Sequence, residues 1–72
     1  MKAFELTYTV KTALPDGSVT TLKRAVFAPI NWRNKTTPGQ DQIERGSAFL
    51  RAKQYFDIHF DRARETELLV LE

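Results

Sequence analysis

Cysteine is absent from this 72-residue chain, and glycine and proline occur only three times each. Without cysteine the protein can form no disulfide, no thiolate metal site and no cysteine-based catalytic centre. No uninterrupted apolar stretch is long enough to cross a bilayer, and the first ten residues alternate between apolar and polar side chains, unlike a signal peptide. We therefore expect one small domain located in the cytoplasm.

Motifs that carry catalysis are missing as well. The sequence has no glycine-rich phosphate loop, no nucleophile elbow and no HExxH pair. Its single histidine, His59, has no evident nucleophile or orienting partner, so we expect a packed or edge residue. Asp57 and Asp61 have the spacing that shares a helix face, but a histidine midway between them would point elsewhere. We expect a protein that is not an enzyme and that needs neither a metal nor a cofactor.

The first part of the chain alternates between apolar and polar residues. Its apolar positions are Phe4, Leu6, Tyr8 and Val10. This period of two predicts a β-strand with one buried face. The strand is followed by Pro15-Asp16-Gly17, in which proline presets φ and the Asp-Gly pair tolerates positive φ. The pattern predicts a β-hairpin over residues 2–28.

The register of this hairpin depends on the turn. Lys23 and Arg24 are adjacent, so one of them must face each side of the sheet. A two-residue turn would bury Phe27 together with Lys23, whereas a bulged turn, shifted by one residue, would bury Val26 together with Arg24. We favour the first register, because it buries the phenylalanine while the lysine can extend its ammonium to the sheet edge.

An aromatic stripe dominates residues 47–60 when they are stepped at the helical angle. Its members are Phe49, Ala52, Phe56 and Phe60. The stripe predicts a helix over about residues 40–62 whose phenylalanines cover the sheet. Capping patterns place its start between Thr37 and Asp41. Ile43 and Leu50 fall on nearly the opposite side, so they would meet something other than the sheet.

The chain closes with four consecutive apolar residues, which predict a short strand at residues 67–71. The predicted fold is a single α+β domain of order β-β-α-β, with a three-stranded, mostly antiparallel sheet and one long helix packed on one face. We expect the third strand to pair beside the first, giving the order 2-1-3 with a right-handed crossover. The alternative places it beside the second strand.

The loop predicted at residues 29–39 holds the only tryptophan of the chain. The first forty residues carry six Lys and Arg against two acidic residues, so this half is the basic one. An aromatic flanked by bases can anchor a protein partner or stack on a nucleobase. Alternatively, the tryptophan caps the small core. The candidate partner-binding residues are Trp32, Arg33, Lys35, Arg24 and Lys23.

The compact ββαβ order without catalytic motifs resembles the short accessory proteins of phages and mobile elements, including some inhibitors of bacterial defence complexes. The resemblance is one of size and layout over the whole chain, and it assigns no site residues. It implies a protein-binding role. We therefore predict a binding module that recognises another protein or a second copy of itself. The alternative is a nucleic-acid-binding module that uses the basic hairpin and the Trp32 loop.

Overall fold

The computed structural model describes residues 1–30 and 37–68 of the chain. These residues form β1 (Lys2–Ala13), β2 (Val19–Pro29), α1 (Gln40–Ala52) and β3 (Phe56–Glu67). The strands make one sheet of order β2-β1-β3, in which β1 is antiparallel to both neighbours. The helix packs on one face of this sheet. The predicted α+β class, the β-β-α-β order and the central position of the first strand are confirmed.

The central strand supplies most of the core. Its inward side chains are at most 1% exposed, and they are Phe4, Leu6, Tyr8 and Val10. Each buried side chain of this size stabilises the fold by about 1.5–3 kcal/mol. The alternation seen in the sequence therefore corresponds to one fully covered face of β1.

The turn between β1 and β2 contains a bulge. The N–H of Leu14 donates to the carbonyl of Ser18 at 2.8 Å, and the N–H of Gly17 donates to the carbonyl of Leu14 at 2.9 Å. Gly17 has a φ of 88°, the left-handed conformation that glycine adopts without a steric cost. This is a three-residue loop with proline in the first turn position and glycine in the bulge.

The bulge overturns the register favoured from the sequence. Val26 lies opposite Leu6, and Arg24 lies opposite Tyr8, so both belong to the helix-covered face. Phe27 instead lies opposite Glu5 on the other face and is 48% exposed. The prediction that buried Phe27 with Lys23 was wrong, because the extra turn residue moves every side chain of β2 to the other face.

The helix ends ten residues before the predicted limit of 62. Gln54 has a φ of 77° and stops the helical path. Its N–H donates to the carbonyl of Arg51 at 3.1 Å, and the N–H of Tyr55 donates to the carbonyl of Leu50 at 3.2 Å. These two bonds form a Schellman cap with glutamine where glycine is usual. Because glycine is missing at this position, no stop signal in the sequence indicates where the helix ends.

The second half of the aromatic stripe is strand, not helix. Between Phe56 and Asp61 apolar and acidic or basic residues also alternate with a period of two, and this pattern forms the start of β3. The predicted closing strand at residues 67–71 was misplaced, since β3 ends at Glu67 and residues 69–71 lie outside the described part. Phe49 stays on the helix and is 54% exposed.

The side of the helix that meets the sheet carries Leu50 and Ile43, the pair that the predicted orientation left without a partner. Gly46 lies between them, and a Cβ atom there would overlap the hydroxyl of Tyr8. That hydroxyl donates to the carbonyl of Ile43 at 2.7 Å. The small residue therefore allows a close approach of helix and sheet, and the tyrosine bond fixes it.

Candidate functional site

A groove of about 650 Å³ lies between edge strand β2 and helix α1. The helix lies closer to β3 than to β2, so the β2 side of the covered face stays open. We call this space the β2–helix groove. The residues that line it are Ala25, Val26, Phe27, Ala28 and Pro29 of β2 and Asp41, Gln42, Arg45, Gly46 and Phe49 of the helix.

Two phenylalanine rings border the groove. Phe27 projects from the face of β2 that the helix does not cover, and Phe49 projects from the helix beside the inward-facing Leu50. Each of these two residues is about half exposed to solvent. Between them the groove floor includes Val26, which packs against the core. The groove thus has an apolar floor and an accessible phenylalanine on its helix side, and Phe27 is exposed on the opposite face of the same strand edge.

The main chain of β2 is open beside this groove. In an antiparallel pair, residues whose N–H and C=O groups face the neighbouring strand alternate with residues that face away. The N–H of Ile30 donates to the carbonyl of Lys2 at 3.2 Å, so the even-numbered residues of β2 face β1. The peptide groups of Ala25 and Phe27 therefore point to the free edge. No group among residues 1–30 and 37–68 bonds to them.

On either side of Ala25 and Phe27, the edge of β2 has main-chain groups that cannot pair with an added strand. Pro29 has no N–H, and its carbonyl accepts a hydrogen bond from Nε2 of Gln42 at 2.9 Å. The carbonyl of Lys23 accepts one from Nη1 of Arg24 at 3.1 Å. Residues 25–27 lie between these two closed points, and we call them the open segment of β2. Its free donors and acceptors lie directly along the groove.

A smaller groove of about 360 Å³ lies on the other side of the helix, towards β3. Phe4, Ile43 and Phe60 line its apolar part, and Arg64 and Glu65 give it a charged rim. The ring of Phe60 also packs edge-on against a core tyrosine, with 5.5 Å between the ring centres. This aromatic side chain therefore belongs partly to the core.

The face of the sheet away from the helix, here called the reverse face, carries a network of charged side chains. Arg64 donates to both carboxylate oxygens of Glu5, from Nε at 2.8 Å and from Nη2 at 3.3 Å. The hydroxyl of Thr9 donates to Asp61 at 2.6 Å. These contacts join β3 to the central strand, so the part of the reverse face that these two strands form is a polar, ion-paired surface.

Hydrogen bonds on this face lower the pKa values of its carboxyl groups. Arg64 lowers the pKa of Glu5, and the hydroxyl of Thr9 is the main cause of the lowered pKa of Asp61. The pKa of Asp57 is lowered first by Lys11. Each carboxylate is thereby stabilised as an anion. A general acid or base requires the opposite change, a pKa raised towards the working pH.

His59 lies in this network. Its Nε2 is 3.2 Å from Oδ1 of Asp57, and the other carboxylate oxygen, Oδ2, binds the ammonium of Lys11 at 3.0 Å. Asp61 does not join this pair and binds Thr9 instead. No three histidine, aspartate or glutamate side chains in the described ranges are grouped as a metal site would need. The arrangement ties β3 to its neighbour.

Two of the five residues predicted to bind a partner can be placed. Lys23 and Arg24 point to opposite faces of β2. Nζ of Lys23 is 3.4 Å from Asp61, and Nε of Arg24 donates to the Tyr55 hydroxyl at 2.8 Å while its guanidinium lies over that ring. The two cations are therefore not brought together. Adjacent residues of a strand face opposite sides of the sheet, as the sequence led us to expect, so the hairpin presents these two charges on different surfaces.

The other three predicted residues, Trp32, Arg33 and Lys35, lie outside the described residues. The groove, in contrast, was missed by sequence reasoning. The signal that points to it is the alternative, bulged register of the hairpin, which leaves Phe27 on the surface of an edge strand. No comparable sequence signal identified Phe49, because its exposure depends on where the helix ends.

Comparisons with known proteins give no relative for this chain. No family model matches it, no curated protein is similar in sequence, and no solved structure is similar in fold. Within the described part of the chain, no helix has the length and apolar character that a membrane crossing requires. A functional hypothesis must therefore be based on the grooves, edges and charged surfaces of the fold.

Proposed function

We propose that this chain is a non-enzymatic binding module that acts through protein–protein contacts, and that the β2–helix groove with the open segment is its binding surface. The supporting observation is that three features occur together. Two half-exposed phenylalanines, Phe27 and Phe49, are among the residues that line a groove of about 650 Å³, and free peptide groups of β2 lie beside it. An unpaired strand edge and exposed apolar surface are both features that small domains usually avoid. A protein partner would cover both at once.

The nucleic-acid alternative has less support. It requires a continuous positive surface, but Lys23 and Arg24 lie on opposite faces of β2. On the reverse face the cations alternate with carboxylates, and Lys23 is already close to Asp61. Attraction for phosphate groups would therefore be weak over the described surface. We retain this alternative as an outcome of the binding experiment.

The proposal includes the accessory or inhibitory role that the chain layout resembles, with the protein in the cytoplasm. Such a protein covers a surface of a larger assembly and needs no catalytic group. A domain with one open strand edge is suited to this role, because the edge supplies directional hydrogen bonds from its main chain. A second copy of the chain is the other partner that the proposal allows.

Capture from an extract of the encoding organism tests this proposal. The wild-type chain, a Phe49→Ala variant and a Phe56→Ala variant are immobilised, and retained proteins are compared by quantitative mass spectrometry. Both phenylalanines are about half exposed, at 54% and 43%, so both variants should remain folded. We expect a partner that the wild type and Phe56→Ala retain and that Phe49→Ala loses.

Equal retention of every protein by Phe49→Ala would contradict the proposed surface. Oligonucleotides titrated at low and high salt complete the experiment. Tight binding that salt weakens strongly would support the nucleic-acid alternative and contradict the protein-binding proposal.

A further inference from the structure

The open segment of β2 has the hydrogen-bonding pattern that an added strand requires. Ala25 and Phe27 each present an N–H and a C=O towards the free edge, and these four groups have the spacing of an antiparallel or parallel ladder. A strand added there would lie about 4.8 Å outside β2. It would run along the β2–helix groove, where no residue in the described ranges occupies that position.

Side chains of the added strand would find apolar contacts on both sides. Successive residues of a strand point to opposite faces. One set would meet Phe49 and the apolar groove floor at Val26, and the alternate set would meet the exposed ring of Phe27. The groove therefore suits a segment with apolar side chains rather than a uniformly polar one.

The charges around the groove favour an acidic segment. Asp41 lies one helical turn before Arg45, at the end of the groove near Pro29. From Arg45 towards the other end the charged groups are cations: Lys53 lies over the ring of Phe49, with Nζ 5.5 Å from its centre, and Arg24 lies against Tyr55. Strand β2 itself contains no acidic residue. Carboxylates on the bound segment would be attracted to this end.

We infer that the open segment binds an extended, acidic and apolar segment of another protein by strand addition. This inference rests on the proposed function and specifies its binding mode. The partner main chain pairs with Ala25 and Phe27, its apolar side chains contact Phe27 and Phe49, and its carboxylates face Arg45. A second copy is less well matched, because pairing two β2 edges gathers Lys23 and Arg24 from both chains without adding an acid.

Fluorescence anisotropy with synthetic peptides tests the inference. The probe is a labelled heptapeptide of five consecutive valines with an aspartate at each end, so that valine side chains project to both faces of the added strand. One matched peptide has lysine in place of aspartate, and another has N-methyl groups on the valine amides, which remove the donors for strand pairing. We expect the aspartate peptide to bind, and we expect each matched peptide to bind at least about tenfold more weakly, the effect of losing about 1.4 kcal/mol.

Proline variants on the two sheet edges provide the matched protein control. Ala25→Pro removes an N–H that faces the β2 groove, and Ala63→Pro removes one that faces the free edge of β3, because Ala63 lies opposite Leu6, which faces β2. We expect Ala25→Pro to weaken binding of the aspartate peptide at least about tenfold. Ala63→Pro should leave it unchanged. Circular dichroism establishes that both variants fold, and the N-methylated peptide tests pairing without any change in the protein.

Several results would overturn the inference. These are no binding of the aspartate peptide at millimolar concentration, equal binding of the N-methylated peptide, or equal weakening by Ala63→Pro. Sedimentation that shows a dimer dissociated by Ala25→Pro would identify a second copy as the occupant and would also overturn it. If a captured partner depends on Phe49 but not on Ala25, the proposed function stands and strand addition fails. If retention of the captured partner depends on neither Phe49 nor Ala25, both the proposed function and strand addition are contradicted.

Discussion

The two edge strands of the sheet are built differently. Of the twelve residues of β3, six are Asp, Glu or Arg, and the strand contains two register irregularities against β1. The eleven residues of β2 include only two charged residues, Lys23 and Arg24, and the ladder with β1 is regular throughout. Bulges and charged side chains are the usual means of preventing an edge from pairing with another chain. By this criterion β3 is protected and β2 is available.

The difference extends to what holds each edge in place. Strand β3 is joined to the central strand by side chains as well as by its ladder, through Glu5–Arg64, Thr9–Asp61 and Lys11–Asp57. Strand β2 depends more on main-chain pairing and on apolar residues of the covered face. An interface on β2 can thus use groups that the fold itself does not need.

Both edges depend on the central strand, so the largest effect is expected there. Leu6→Ala removes a fully buried side chain that lies between Val26 and Ala63. We expect a loss of about 2–5 kcal/mol in the free energy of unfolding, measured by urea denaturation. Phe56→Ala at the start of β3 is the control, because its side chain is 43% exposed. A loss as large for Phe56 as for Leu6 would mean that the core extends to the β3 edge.

The contrast between Leu6 and Phe56 also shows where sequence reasoning succeeds. The alternation of β1 was sufficient to predict its buried face, because a central strand buries that face whatever the pairing register. Edge strand β2 was assigned the wrong register, since Pro15 and Gly17 allow turns that differ by one residue. The boundary between helix and strand was missed because Gln54 gives no stop signal. Local sequence patterns therefore predict which segments form helices and strands. The residue at which an element ends and the face that it buries also depend on tertiary contacts.

The candidate site was harder to predict for the same reason. Phe27 becomes part of a groove only after the register is known, and Phe49 only after the end of the helix is known. Lys23 and Arg24 were chosen for their charge, but adjacent strand residues necessarily point to opposite faces. Their charges therefore act on different surfaces.

Gly46→Ala tests the helix position that opens the groove on the β2 side. A new Cβ atom would overlap the hydroxyl of Tyr8, so we expect a loss of about 1–3 kcal/mol, typical of overpacking. At an exposed helix site the same change would stabilise the protein by about 1 kcal/mol, so the sign of the change in the free energy of unfolding distinguishes a tightly packed site from an exposed one. In a Tyr8→Phe background the cost should be smaller but not zero, since the ring carbon also lies 2.9 Å from that Cβ position. If the effects of Gly46→Ala and Tyr8→Phe on the free energy of unfolding, measured by urea denaturation, were simply additive, the contact between position 46 and the Tyr8 hydroxyl would be contradicted.

Gln54→Gly tests the corner that leads into β3. A left-handed conformation costs a residue with a Cβ atom about 1–2 kcal/mol, and glycine avoids this cost while losing about 0.5–1 kcal/mol of chain entropy. We therefore expect a net gain of about 0.5–1 kcal/mol in urea denaturation. Gln54→Ala keeps the Cβ atom and should change stability little. A similar gain from alanine would show that the side chain, not the φ of 77°, is unfavourable.

Acidification should loosen β3 before β2. The pKa values of Glu5 and Asp61 are lowered from 4.5 and 3.8, so their stabilising contribution is complete above those values and is lost as the pH falls through the lower folded-state values. We expect amide protection factors, measured by hydrogen exchange and corrected for intrinsic rates, to fall at Arg64 before Val26. Glu5→Gln should reduce protection at Arg64 already at neutral pH and make it less dependent on pH. Simultaneous loss on both strands would show that the two edges are equally dependent on the charged network.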